Sequence, residues 1–281
     1  MVSEKVFPYL LSKAAFIDTI LLSVWTEDKP ILGKLLDENK KPILNGTSRY
    51  ARLVKGRAPL TGNPVEIVYG KLSRFSNVPP CQVRIRSEEV PLTGAQVNET
   101  MRLLFPDATR IQPVMVELTF DLTKTSVGYL HRHMIHRSRQ WNEWWDRARG
   151  RRTVYIGSPK SPWQIRIYDK TERVIRLELI LRKGILPDNG ILQPDNVLTL
   201  RSLELQRMFS LRKFSRPRVA AATMGWNDPY WQDVACNWER SGSPLQRLCR
   251  MLVGRGDKIG SLFPFARLQR TLENMQRNLI W

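Results

Sequence analysis

Apolar and polar positions alternate with a period of two in several short stretches, which predicts β-strands. In residues 81–87 the buried-type side chains are Val83 and Ile85. Their sequence neighbours Arg84 and Arg86 belong to the other face, because residues two apart on a strand point the same way. The pattern therefore predicts a sheet with one buried face and one basic face in water.

Further strands are predicted along the chain from β-branched and aromatic residues. They are residues 15–25, 65–72, 112–123, 153–157, 164–169 and 174–181. The last three are close together, and a turn with the sequence SPKSP separates the first two of them. These three strands therefore predict a meander.

Helical patterns cover residues 93–104 and 126–149, and they return from about residue 198. The second pattern predicts one long helix, and its tryptophans have the spacing of a helix face that packs against the sheet. The alternative is that one tryptophan is exposed and stacks on an unpaired base. These tryptophans are Trp141, Trp144 and Trp145.

The order of elements is strands, helix, strand, long helix, three strands and then helices. This order predicts an α+β fold, in which a mainly antiparallel sheet is backed by helices and followed by a C-terminal helical appendage. We expect one domain in residues 1–195 and a basic helical region in residues 196–281.

The net charge of the chain indicates the kind of partner it binds. The 281 residues include 45 Lys and Arg against 26 Asp and Glu, which gives a formal net charge of +19. An excess of this size favours a polyanionic partner, and nucleic acid is the commonest one. The alternative is a generally basic protein without such a partner.

The cysteines and the apolar segments bear on where the protein works. The three cysteines lack metal-ligand spacing, so we expect Cys81, Cys236 and Cys249 to be reduced and buried. No run of about 18 apolar residues occurs, and Lys13 and Asp18 interrupt the apolar N-terminal segment. These observations predict a cytoplasmic protein without a membrane span.

Two predicted strands carry acidic residues. Glu117 and Asp121 share one face of the strand at 112–123, and Glu178 lies on the strand at 174–181. If the two strands are neighbours in the sheet, the three acids form an all-oxygen site that suits Mg²⁺ or Mn²⁺. The alternative is a solvated sheet face, or salt bridges to nearby arginines.

Tyr168 shares a strand face with Gln164 and Arg166. A phenol has a pKa of about 10 and is a poor nucleophile at neutral pH unless its anion is stabilised or a base removes the proton. Arg166 or Lys170 could supply that stabilisation. The alternative is that Tyr168 only packs against its neighbours.

Three segments together resemble a known family. They are TVYIGSPKSPWQIRIYDK (residues 153–170), VIRLELILRKG (174–184) and VMVELTFDLT (114–123). They are similar to the replication initiation factor family, the rolling-circle initiators of small plasmids and filamentous phages. The similarity covers residues 112–184 and is fainter at residues 16–20, around Asp18.

The resemblance implies roles for individual residues. Tyr168 would be the nucleophile that nicks DNA, and Glu117, Asp121 and Glu178 would bind a divalent cation, Mg²⁺ or Mn²⁺. Glu117 stands where the family usually has aspartate, and Met115 stands where it generally has arginine. The rest of the motif is matched by Tyr155, Gly157, Ser161, Arg166 and Lys170.

The implied activity is metal-dependent nicking and rejoining of one origin strand through a 5′-phosphotyrosyl intermediate, with Arg166 and Lys170 beside the nucleophile. The implied fold is distantly similar to the His-hydrophobic-His nickase domain. The implied partners are duplex and single-stranded origin DNA, with host helicase, host polymerase and a second copy of the chain as further candidates. Three other functions stay open: a non-catalytic DNA-binding protein, a metal-dependent nuclease that uses water, and a carbohydrate hydrolase with paired acids.

The histidines lie in the sequence HRHMIH, which superficially matches the metal motif of those nickases. Arg132, however, occupies the hydrophobic position. On the predicted long helix, His133 and His136 share a face and His131 does not. We therefore expect basic or hydrogen-bonding residues on a DNA-facing helix rather than metal ligands.

Overall fold

The structure is a computed structural model, and it describes most of the chain. The described residues are 9–27, 30–42, 49–72, 77–88, 92–136, 140–182, 184–193, 209–214, 216–237, 242–255 and 260–262.

One large antiparallel sheet organises the first two thirds of the chain. Its strands are β1 (Tyr9–Trp25), β2 (Leu36–Pro42), β3 (Tyr50–Arg57), β4 (Pro64–Lys71), β5 (Cys81–Arg86), β6 (Arg110–Thr123), β8 (Trp141–Asp146), β9 (Arg151–Ile156), β10 (Trp163–Asp169) and β11 (Ile175–Arg182). These ten strands lie in the order β2-β3-β4-β5-β1-β6-β11-β10-β9-β8. A short strand, β7 (Met134–His136), belongs to a separate sheet.

Helices pack on one face of this sheet. They are α1 (Gly94–Leu104), α2 (Val127–His133) and α3 (Ile185–Asp188), and a short 3-10 helix spans Leu32–Lys34. Val97, Leu130 and Leu186 of the three α-helices share one hydrophobic core with strand residues such as Leu118 and Ile167. This burial of one sheet face under helices is the predicted α+β architecture, and it confirms the fold class.

The predicted strands are all present. β1, β4, β5, β6, β9, β10 and β11 cover them, whereas β2 and β3 had not been predicted. On β5, Val83 and Ile85 are buried, Arg84 is half-buried and Arg86 is exposed. The predicted basic face in water is therefore confirmed.

The prediction of one long helix over residues 126–149 is wrong. Ser126 caps α2 by accepting a hydrogen bond from the Tyr129 amide at 3.1 Å, but the helix ends at His133. The chain then continues as β7 and β8, since tryptophan and isoleucine favour extended backbone. The prediction that the tryptophans pack against the sheet is wrong too. The exposed fraction is 38% for Trp141, 57% for Trp144 and 60% for Trp145.

The C-terminal region has its own hydrophobic cluster. Its helices are α4 (Arg216–Thr223), α5 (Pro229–Cys236) and α6 (Gly242–Gly254), and its strands are β12 (Phe209–Phe214) and β13 (Gly260–Leu262). Trp231, Leu245 and Leu248 lie in that cluster, and β12 pairs with both β7 and β13. The helices confirm the predicted pattern, whereas the two strands had not been predicted. The boundary predicted after residue 195 lies outside the described residues, so the division into two domains stays a prediction.

The cysteines are free thiols. Cys81 and Cys249 are buried as predicted, but Cys236 is exposed because it ends α5 at the surface. None of the described helices combines the length and the apolar character that a membrane crossing requires.

Candidate active site

Three neighbouring strands bring the predicted site residues to the sheet face opposite the helices. Glu178 of β11 lies opposite Arg166 of β10, and Arg176 lies opposite Tyr168. Across the other side of β11, Arg176 lies opposite Asp121 of β6. Side chains that lie directly opposite each other are about 5 Å apart, so residues from three strands meet at one place.

Tyr168 is half-buried, and its hydroxyl donates a hydrogen bond of 2.6 Å to Oε1 of Glu178. Burial raises the pKa of Tyr168 well above its ordinary value, and the hydrogen bond to Glu178 raises it further. The phenol is therefore protonated at rest. Its proton already points at the carboxylate that would accept it in a nucleophilic step.

Arg166 connects two buried acids. Its Nε donates to Oε2 of Glu178, and its Nη2 donates to Oε1 of Glu117 at 3.0 Å. The guanidinium also lies over the Tyr168 ring, 5.1 Å from the ring centre. Arg166 therefore places a permanent positive charge beside the tyrosine and holds the Glu178 carboxylate in a fixed orientation.

Glu117 differs from the other acids because it favours the protonated form. Burial raises its pKa well above the usual range for a glutamate, and the hydrogen bond and negative charge of Glu178 raise it further. Arg166 opposes this rise only in part. Glu117 is therefore an acid that can carry a proton in this site.

Asp121 is held as an anion by two cations. It accepts hydrogen bonds from Nε and Nη2 of Arg176 at 2.6 and 2.9 Å, and from Nζ of Lys170 at 2.7 Å. Burial alone would raise the pKa of Asp121, but the hydrogen bonds from Arg176 and Lys170 outweigh it and lower the pKa. Lys170, a predicted site residue, thus contacts Asp121 in this arrangement.

Two residues of the site had been given no role in the sequence analysis: Arg176 and Asp18. Arg176 donates a longer hydrogen bond, 3.4 Å, to Asp18 of β1. The pairing of β1 with β6 shifts between Ile17 and Thr19, so Asp18 is an extra residue in a β-bulge. Bulges turn a side chain in a new direction, and here the bulge brings an acid to the site. The sequence signals at Asp18 were an acid within an apolar strand and the faint similarity at residues 16–20.

The three predicted metal ligands do not form a metal-binding group in this arrangement. Both oxygens of Asp121 accept hydrogen bonds from Arg176, and those of Glu178 accept from Tyr168 and Arg166. Across the described parts of the chain, no cluster of three or more His, Cys, Asp and Glu side chains could hold a metal ion. Mg²⁺ and Mn²⁺ need free carboxylate oxygens, so these contacts do not fit either ion. The cation and its three ligands stay predictions.

Other matched motif residues shape the turn between β9 and β10. Gly157 has a φ of +92°, and a Cβ there would lie 3.0 Å from the carbonyl oxygen of Trp163. The Gly157 carbonyl accepts a hydrogen bond of 3.1 Å from Gln164, and the Ser161 hydroxyl accepts one of 3.2 Å from the Ser158 amide. These residues therefore position β10, which carries Tyr168. The remaining motif residue is Tyr155, which lies opposite Arg166.

The histidines lie away from this site. His131 and His133 are on α2, which packs on the opposite face, and His136 is on β7. His131 and His136 are buried, so the expected DNA-facing role is wrong for these two. The His131 ring contacts the Trp141 ring, with ring centres 4.8 Å apart. The His133 ring contacts the Tyr129 ring, with ring centres 4.4 Å apart.

Comparison with known proteins adds a limited finding. No protein-family model matches the chain. No curated protein matches it significantly. Among solved structures, the chain is similar to a rolling circle replication initiator protein from Geobacillus stearothermophilus, with 14% sequence identity and a TM-score of 0.46. That match covers 79% of this chain and 95% of the other.

Proposed function

We propose that this chain initiates rolling-circle DNA replication by nicking one origin strand and later rejoining it. The observation that carries the proposal is the 2.6 Å hydrogen bond from the Tyr168 hydroxyl to the buried Glu178, beside Arg166. A tyrosine with a base for its proton and a cation for its anion has what a nucleophile needs. The motif similarity around Tyr168 supports the same chemistry.

The proposed reaction exchanges one phosphate ester for another. The Tyr168 oxygen attacks the scissile phosphorus, its proton passes to Glu178, and the bond from phosphorus to the 3′ oxygen breaks. The 3′ oxygen takes up a proton and becomes a free hydroxyl, and Glu117 is an acid of the same hydrogen-bonded group that can supply it. The 5′ end is left on Tyr168. The reverse reaction rejoins the strand without hydrolysis.

Protein cations supply positive charge for this step. Arg166 and Arg176 are partly buried. Arg166 lies opposite Glu178 on the neighbouring strand, and Arg176 lies two residues before Glu178 on β11 itself. Charge that develops on phosphate oxygens is stabilised by fixed donors in a site of low water content. Lys170, whose side chain is 39% exposed, is the more accessible cation for an incoming phosphate.

The charge of the molecule supports DNA as the partner. The net charge of +19 attracts a polyanion, and the basic face of β5 continues toward the site, because Thr19 of β1 lies between Arg86 and Glu117. We assign binding and nicking to residues 1–195. A role for residues 196–281 in contacting helicase, polymerase or a second copy stays a prediction.

The test is the capture of a covalent protein–DNA adduct. Supercoiled DNA of the replicon that carries the gene is labelled and incubated with the protein, in EDTA and in parallel with Mg²⁺ or Mn²⁺. A denaturing gel then separates free DNA from DNA attached to protein. We expect the wild type to form the adduct and Tyr168→Phe to form none, a loss of at least 1,000-fold in rate, roughly 4 kcal/mol.

Tyr129→Phe is the matched control, because it removes a phenol from α2 on the opposite face. It should form the adduct at the wild-type rate. An adduct that survives in Tyr168→Phe would overturn the assignment of the nucleophile. Cut DNA without any adduct would identify a nuclease that uses water, and DNA binding without cutting would identify a non-catalytic protein.

A further inference from the structure

The hairpin of β8 and β9 forms one end of the large sheet, and β8 is its last strand. The turn between the two strands is arginine-rich: Arg147 and Arg149 lie in it, Arg151 begins β9, and all three side chains are exposed. Trp144 and Trp145 of the same hairpin have 57% and 60% of their surfaces exposed. An exposed indole beside exposed cations is the combination that single-stranded nucleic acid sites use.

The two tryptophans belong to opposite faces. Trp144 lies opposite Thr153 of β9, and Thr153 lies opposite Tyr168 of β10. Residues that are directly opposite each other point to the same face, so Trp144 shares the face of the site. Two strand spacings separate it from Tyr168, about 10 Å. Trp145 lies opposite Arg152 and belongs to the other face.

The charge of the hairpin indicates which partner covers Trp144. A second copy of the chain would bring its own excess of positive charge to the same place, which opposes association. A DNA strand brings phosphates for the exposed arginines and flat bases for the indole. Asp146 is a weak opposing charge, because Arg149 lies 3.9 Å from it.

We propose that Trp144 stacks on an unpaired base of the strand that is nicked, while the arginines of the hairpin turn contact the flanking phosphates. This proposal deepens the proposed function and rests on it. A separation of about 10 Å corresponds to about three nucleotides at a rise of ~3.4 Å per nucleotide. The stacked base therefore lies within a few nucleotides of the scissile phosphate, and stacking keeps that part of the strand open beside Tyr168.

The test compares Trp144→Ala with Trp145→Ala, which removes an equally exposed indole from the other face of the same strand. Both are made in the full chain with Tyr168→Phe, so that no DNA is cut. Binding of a fluorescent single-stranded 30-mer of mixed sequence is measured at fixed salt. Trp144→Ala should weaken binding about 5- to 100-fold, the usual loss for a stacked aromatic. Trp145→Ala should change it less than about 2-fold, and Trp144→Phe should restore most of it.

Equal losses for the two alanine variants, or no loss for Trp144→Ala, would overturn the proposal. A wild-type dimer in sedimentation that Trp144→Ala dissociates would also overturn it and would identify a protein interface. Circular dichroism of each variant checks the fold. The adduct assay separates the two ideas, because a wild type that binds through Trp144 and forms no adduct would contradict the nicking function alone.

Discussion

At the scale of single residues, the pairing of β10 with β11 brings the Tyr168 hydroxyl to the Glu178 carboxylate. Alternation placed each on a strand face, and the motif singled out the tyrosine. The hydrogen bond between them depends on the register of β10 against β11, which no local pattern encodes. For the same reason, Arg176 could not be recognised as the partner of Asp121, although both residues were visible in the sequence.

At this scale, the raised pKa of Glu117 predicts an unusual dependence of stability on pH. Folding favours the protonated form, so the free energy of unfolding falls as the pH rises above the ordinary pKa of a glutamate. Glu117→Gln keeps an oxygen that accepts the hydrogen bond from Arg166. Because glutamine does not titrate, this variant should not lose stability in the same way as the pH rises. Thermal unfolding in EDTA between pH 5 and pH 9 should show the variant gaining stability over the wild type as pH rises.

Asp121→Asn is the control with the opposite sign. The pKa of Asp121 is lowered, so its contribution is present at neutral pH and is lost as the pH falls through the folded-state pKa. The variant should be less stable than the wild type at pH 7 and should approach it in acid. Parallel pH profiles for both variants and the wild type would contradict the assignment of the two acids.

At the scale of elements, the strands that were predicted bury one face, as β10 does with Ile165 and Ile167. β2 has the sequence LDENKKP and so lacks an apolar face that alternation could indicate. β8 is exposed on both sides, and its tryptophans therefore follow no period of two. Secondary structure was predictable where burial imposes a clear alternation, and β2 and β8 were missed because their sequences show none.

The turn from β9 to β10 gives the prediction that belongs to this scale. In Gly157→Ala, the alanine must adopt a positive φ, and its Cβ would lie 3.0 Å from the Trp163 carbonyl oxygen. We therefore expect the free energy of unfolding to fall by about 2–3 kcal/mol. Gly150→Ala is the control, since its φ is +61° but no atom lies within 4 Å of the new Cβ. It should cost about 1 kcal/mol. Urea denaturation measures both, and equal losses would show that the close contact has no effect.

At the scale of the whole molecule, positive charge and the candidate site lie on the same face of the sheet. The composition predicted a polyanionic partner, but only the sheet order shows that β5, with its arginines, lies two strands from the acids of β6. Arg84 and Arg86 share Glu66 as an ion-pair partner and still carry a surplus of positive charge. This surplus is available for phosphates.

The salt dependence of binding tests that use of the face. For duplex DNA, replacing two phosphate contacts in Arg84→Ala/Arg86→Ala should make the slope of log affinity against log salt shallower by about 1.8. Arg102→Ala is the control, because this arginine lies on α1 of the covered face with 73% of its side chain exposed. Its slope should match the wild type. An equal change in both would show that total charge matters and that its position does not.

The width of the sheet determines the length of DNA that one copy of the protein can contact. Ten strands are separated by nine spacings of about 4.8 Å, so the face that carries the site extends about 43 Å along the sheet. At a rise of ~3.4 Å this equals about 13 base pairs, slightly more than one turn of the double helix. A single copy is therefore long enough to grip intact duplex at one end while an unwound strand reaches the tyrosine near the other.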